Sequence, residues 1–168
     1  MERLIQRPEE KPTLKRTAVE TIGLLALMAA SAPVLMKLKF PIGTAMSSED
    51  EKELLENPKD ALRILAVEAP IKEELRYRLK PSLLYGANWD VGVASSLLFA
   101  LDHLKKPDGG IERKLPFFQL VEGLYFWQLM RKRGIHHSVV AHATINGILA
   151  IAGSLAYRYA DNEAKDKT

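Results

Sequence analysis

Residues 137–157 form an unbroken stretch without a charged side chain, long enough to cross a bilayer, yet they hold His142 and Asn146 one helical turn apart. A segment of that length and apolarity has to satisfy its backbone internally, which makes it a helix. A helix of this kind carries a histidine and an asparagine on one face only when they have partners or a purpose, because a polar group buried without a hydrogen bond costs several kcal/mol.

Three other apolar runs precede it: residues 22–36, residues 83–101 interrupted by Asp90, and residues 115–130 interrupted by Glu122. The third falls short of the roughly 20 apolar residues a spanning helix needs, and the first is shorter still. Lys15 and Arg16 precede the first run and Lys37 and Lys39 follow it, a pattern suited to a short span anchored by bases. Between the first two runs, residues 47–80 read as polar, amphipathic helix: Ser47 or Ser48 caps its start, and Pro58 and Pro70 divide it, with Pro70 opening a new helix that Pro81 perturbs. Strand signals are scarce. The fold expected is all-α, a multi-helix membrane bundle with its site between helices, and the chain is placed in the membrane as a multi-pass protein. One helical domain over 15–160 is flanked by polar tails at 1–14 and 161–168.

Composition narrows the chemistry. The 168 residues carry a net charge of only +3, with bases spread through loops and tails, so nucleic acid is not an expected partner. The absence of cysteine removes disulfides, thiolate metal sites and thiol nucleophiles, leaving oxygen and imidazole chemistry.

Polar residues with helical spacing occur at three places. Glu73-Glu74-Leu75-Arg76-Tyr77-Arg78 puts Glu74 and Arg78 one turn apart, which taken alone reads as a surface ion pair. His103 follows Phe99 by four residues at the end of an apolar run, where a histidine ordinarily interacts with the helix C-terminus. His142 and Asn146 form the third pair, and their bland reading is an interhelical hydrogen bond.

In order, Glu73-Glu74…Arg78, Phe99…His103 and His142…Asn146 resemble the signature of the CPBP family, the CAAX proteases and bacteriocin-processing enzymes also called Abi or type II CAAX endopeptidases. The likeness covers the motif core, residues 70–157. Gly123-Leu124 in an aromatic helix and the Lys132-Arg133-Gly134 turn are similar to the family as well. Tyr77, Leu79 and Trp127 depart from it, standing where phenylalanine, glycine and a second glycine are usual.

The resemblance implies an endopeptidase acting on a membrane-anchored protein or peptide, with the lipid bilayer as its surroundings. It makes Glu73 the base that polarises a water together with His103, and it turns His142 and Asn146 toward the scissile carbonyl as oxyanion donors. Glu74, Arg78 and Phe99 support them. Family members are often labelled metalloproteases, so a zinc ion on Glu73, His103 and His142 stands beside a metal-free scheme, which is preferred because His142 and Asn146 suit an oxyanion. The alternative implied by the same likeness is a noncatalytic member, serving bacteriocin self-immunity or acting as a helical membrane scaffold.

Overall fold

The computed structural model describes residues 12–37, 57–104 and 116–165, and every regular element among them is helical. α1 is Leu14–Lys37. α2 is one helical leg over 58–85, built from Pro58–Arg63, the π turn Ile64–Glu68, Ala69–Glu74, the π turn Leu75–Leu79 and Lys80–Tyr85. α3 is Trp89–Asp102, α4 is Phe117–Arg133 and α5 is Ile135–Lys165. The cap expected at Ser47 or Ser48 lies outside the described residues.

The prolines do not divide α2 as the sequence suggests. Glu68 and Ala69 keep right-handed helical dihedrals into Pro70, and the Ala69 N–H reaches back five residues to the Ile64 carbonyl. Lys80 does the same to Leu75 just before Pro81. A proline removes one hydrogen bond and its ring pushes against the preceding turn. One extra residue in the turn before it makes room, so the helix continues wide-wound instead of stopping.

Tight turns then fold the chain back on itself. Asn88 caps α3 by accepting the Val91 N–H at 2.9 Å. Gly134 ends α4 at φ +96°, a conformation that suits glycine and lets α5 begin one residue later. α1 packs on α5 through polar contacts: Thr17 Oγ1 bonds His137 Nδ1 at 2.7 Å, and Arg133 reaches both Thr17 Oγ1 (3.1 Å) and Glu20 (2.6 Å). Thr21 adds a bond to the Tyr125 hydroxyl. These contacts bring the start of α1 to the end of the bundle that also holds the 86–88 and Gly134 turns. α2 supplies an additional leg between α1 and α3, so α1 and α3 begin at the same end of the bundle.

Beside an apolar core that includes Phe126, Leu129, Ala141 and Ile145, the bundle buries many polar side chains and exposes large apolar ones. Thr17, Thr21, Glu74, Arg78, Ser95, Ser96, His137, Ser138, His142 and Ser154 are buried, whereas Val19, Leu27, Leu83, Leu98, Leu149 and Leu155 are exposed. Among the described residues, Ile135–Tyr159 is the stretch long and apolar enough to cross a membrane. α3 and α4, at 14 and 17 residues, extend only about 21 and 26 Å at 1.5 Å per residue, short of a hydrocarbon core of about 30 Å. α5 continues to Lys165, five residues into the segment expected to be a polar tail.

Trp127, one of the departures from the family pattern, is fully buried, and the facing helix accommodates it. A Cβ built on Gly92 would lie 2.2 Å from the indole nitrogen, which donates instead to the Asn88 carbonyl at 3.1 Å. Gly92 on α3 thus permits the close approach of the indole from α4. Gly92→Ala is therefore expected to lower the thermal midpoint of the purified protein, costing about 1–3 kcal/mol from overpacking despite the better helix propensity of alanine. Pairing it with Trp127→Phe, which withdraws the five-membered ring, should recover part of the loss.

Candidate functional site

Where α2, α3, α4 and α5 meet, the carboxylate of Glu74 is completely buried. Its Oε1 lies 3.0 Å from His142 Nδ1, and its Oε2 accepts the Ser138 hydroxyl and lies 3.6 Å from Arg78 Nε. Ser138 also reaches the Phe126 carbonyl at 3.1 Å, which ties α4 into the same cluster. The sequence expectation that Glu74 pairs with Arg78 is met, but the pair is internal, not a solvated one on a surface.

Arg78 is as buried as Glu74. Its Nη1 donates to the Tyr77 carbonyl at 3.2 Å, while Nε and Nη2 have no hydrogen-bond partner among the described residues. The guanidinium instead lies between aromatic faces, 4.9 Å from the Phe99 centroid and 5.8 Å from that of Phe126. Tyr77, the second departure from the family pattern, uses its hydroxyl: it donates to Asp102, while Ser95 donates to the Tyr77 carbonyl. Both bonds clamp the wide turn of α2 against α3.

His142 is held on every side. Its ring stacks on Phe126 at 4.7 Å and 18°, and meets Phe99 edge-on at 5.9 Å. With Nδ1–H directed to Glu74, the other nitrogen faces Glu73, whose Oε2 is 3.5 Å away. A buried carboxylate that fixes one imidazole nitrogen sets the tautomer and aims the other. Glu73 is the open member of the group, with about a third of its side chain (31%) exposed.

His103 and Asn146 join less directly. His103 closes the C-terminus of α3: its Nδ1 bonds the Phe99 carbonyl at 2.8 Å and its ring rests on the Phe99 ring at 4.6 Å. The two imidazoles thus share one phenylalanine, and Nδ1 donation leaves Nε2 of His103 as the free nitrogen. The amide nitrogen of Asn146 donates to the Leu65 carbonyl at 2.9 Å. In the wide turn before Pro70, the residue placed to bond Leu65 is Pro70 itself, which has no N–H. Asn146 supplies the missing donor, so its nitrogen serves the backbone.

One participant carries no signal in the motifs. Glu122 lies one turn before Phe126 on α4, half-buried, and interacts electrostatically with both His142 and Glu73. Its sequence clue is a lone carboxylate within the apolar run 115–130.

The metal candidates Glu73, His103 and His142 do not gather as a ligand set. One nitrogen of each histidine is engaged as described, and among the described residues no three His, Asp or Glu side chains are disposed to hold an ion.

Two measurements test these contacts. Glu74→Ala strands Arg78 and should destabilise the protein by about 3–5 kcal/mol in denaturant unfolding, whereas Glu74→Leu combined with Arg78→Met should recover most of it. Asn146→Ala should cost about 1–3 kcal/mol by leaving the Leu65 carbonyl unpaired. In a Pro70→Ala background, where a backbone N–H can take over, that cost should nearly vanish. Compared with known proteins, the chain matches no family model, no curated protein and no solved structure.

Proposed function

We propose that this protein is a membrane-embedded endopeptidase in which Glu73 activates a water for attack on a peptide bond. The observation that carries the reading is the ordered chain Glu74–His142–Glu73, in which a buried carboxylate aims an imidazole at a partly exposed one. Purely structural ion pairs do not require the second carboxylate to remain accessible. The order of motifs that resembles the CPBP family supports the same assignment.

The steps balance without a covalent intermediate. Glu73 accepts a proton from water, and the resulting hydroxide forms a bond to the carbonyl carbon. The carbonyl oxygen gains the electron pair, and His142, in the doubly protonated form that bridges Glu74 and Glu73, donates from Nε2 to the developing charge. On collapse, the carbon–nitrogen bond breaks and the protonated Glu73 returns its proton to the leaving amine. His103 orients the water through its free nitrogen. Asn146 enters as a positioning residue, because its donor holds the backbone of α2. No step is routed through a metal.

Membrane embedding rests on the large apolar side chains turned outward on α1, α2, α3 and α5, and on the polar ones buried within the bundle. In this reading all five helices lie within or against the bilayer, and the substrate is a membrane-anchored peptide. Prenylated CAAX-type termini and bacteriocin leaders both fit that class.

A second reading draws on a specific observation. His103 and Asn146 each spend a nitrogen on a backbone carbonyl, which is also how a noncatalytic helical scaffold would use them.

Cleavage of membrane-anchored peptides by the purified protein in detergent separates the two. Glu73→Gln should remove at least about 99% of the activity, as expected for loss of a catalytic base, with no fall in thermal midpoint. Chelator should leave the rate unchanged. Activity that survives in Glu73→Gln sinks the peptidase mechanism. In the Pro70→Ala background, Asn146→Ala should regain activity along with stability; stability regained without activity would place Asn146 on the substrate instead.

A further inference from the structure

We infer that the end of the bundle formed by the start of α1, the α2–α3 turn, and the α4–α5 turn is a docking surface for anionic phospholipid headgroups. The inference rests on the membrane-embedded reading above and is independent of the peptidase chemistry.

Charge and shape both support this occupant. Lys15 and Arg16 open α1, Lys80 lies five residues before the end of α2, and Arg131, Lys132 and Arg133 close α4. The contacts of Thr17 with Arg133 and His137, and of Arg131 with Trp89, bring these segments to one end. Among the described residues, only Glu20 and Asp90 oppose them there. Glu20 is already shared between Arg16 and Arg133. The other carboxylates whose side chains are described lie elsewhere: Glu73, Glu74, Asp102 and Glu122 around the candidate site, and Asp60 and Glu68 on the opposite part of α2.

The same end presents an apolar, aromatic tip. Leu83, Leu84 and Tyr85 are 76%, 61% and 71% exposed, and they adjoin Trp89 across the turn. The Arg131 guanidinium lies 5.0 Å from the centre of a Trp89 ring, which holds a cation at the indole. Soluble phosphate would need only the bases. Protruding leucines with tyrosine and tryptophan beside those bases match the boundary between headgroups and acyl chains, where aromatic side chains settle and basic ones meet lipid phosphate.

The test uses the full chain reconstituted into vesicles of phosphatidylcholine alone or of phosphatidylcholine with phosphatidylglycerol. Lipid retained after gentle detergent extraction is identified by native mass spectrometry, and Trp89 depth is read by brominated-lipid quenching in a Trp127→Phe background. The wild-type chain should retain phosphatidylglycerol well above its share of the bilayer, and Trp89 should be quenched most by bromines near the headgroup. Lys80→Gln with Arg131→Gln and Lys132→Gln should reduce the enrichment by about fivefold for each base that faces the surface, with the thermal midpoint kept. Leu83→Ser with Leu84→Ser should move Trp89 outward while leaving the lipid preference in place, a second readout that does not depend on the charge variant folding. Arg63→Gln with Lys72→Gln, on the opposite part of α2, should change neither quantity.

Incorporation into both vesicles without preference, or a triple variant that keeps the full enrichment, overturns the inference alone. A chain that remains in the aqueous phase with both compositions overturns the membrane reading and this inference together.

Discussion

A single buried carboxylate holds the centre of this fold. Glu74 is removed from water and receives the Ser138 hydroxyl, the His142 imidazole and the charge of Arg78. Taking a carboxylate out of water costs several kcal/mol, and only convergent partners offset that. Each partner comes with its own obligations: Ser138 is fixed by the Phe126 carbonyl, His142 by the Phe126 face, and Arg78 by Phe99 and Phe126. The register of α2 against α4 and α5 follows from satisfying all of them at once. A leucine could fill the volume, but it would not distinguish this register from one shifted by a turn.

The wide turns in α2 belong to the same constraint. A proline inside a helix leaves a carbonyl without its donor, and the loss is tolerable only when another group provides one. Asn146 does so for Leu65; in the second wide turn the carbonyl five residues before Pro81 is that of Arg76, and Ser95 donates to the neighbouring Tyr77 carbonyl. Both donors come from other helices. The path of α2 is therefore a tertiary decision, which explains why proline rules applied along the chain divide a leg that the bundle keeps whole.

The helical segments, the apolar character of α5 and the pairing of Glu74 with Arg78 are legible in the sequence because they depend on spacing within one helix. What lies across helices is not. Nothing in the Glu73-Glu74 dipeptide says which carboxylate goes inside, since neighbours on a helix point about 100° apart and only the packing of α5 selects Glu74 for His142. The place of Trp127 is similarly hidden: nothing along α4 says that Gly92 of α3 lies opposite it. Glu122 was visible only as an interruption, and its relation to His142 and Glu73 emerges once α4 and α5 are antiparallel neighbours.

The shortness of α3 gives His103 its place. The last carbonyls of a helix have no intrahelical partner, and they need donors from elsewhere. His103 answers with Nδ1 on the Phe99 carbonyl, one ring away from His142. The capping bond and the catalytic proposal are thus compatible, since an imidazole anchored through one nitrogen offers the other in a fixed direction. The same logic applies to His142, anchored by Glu74 and turned to Glu73. In a low-dielectric interior such pre-orientation carries greater weight than in water, because mispointed dipoles there have no solvent to compensate them. Structural satisfaction of one nitrogen is what makes the second one available for chemistry.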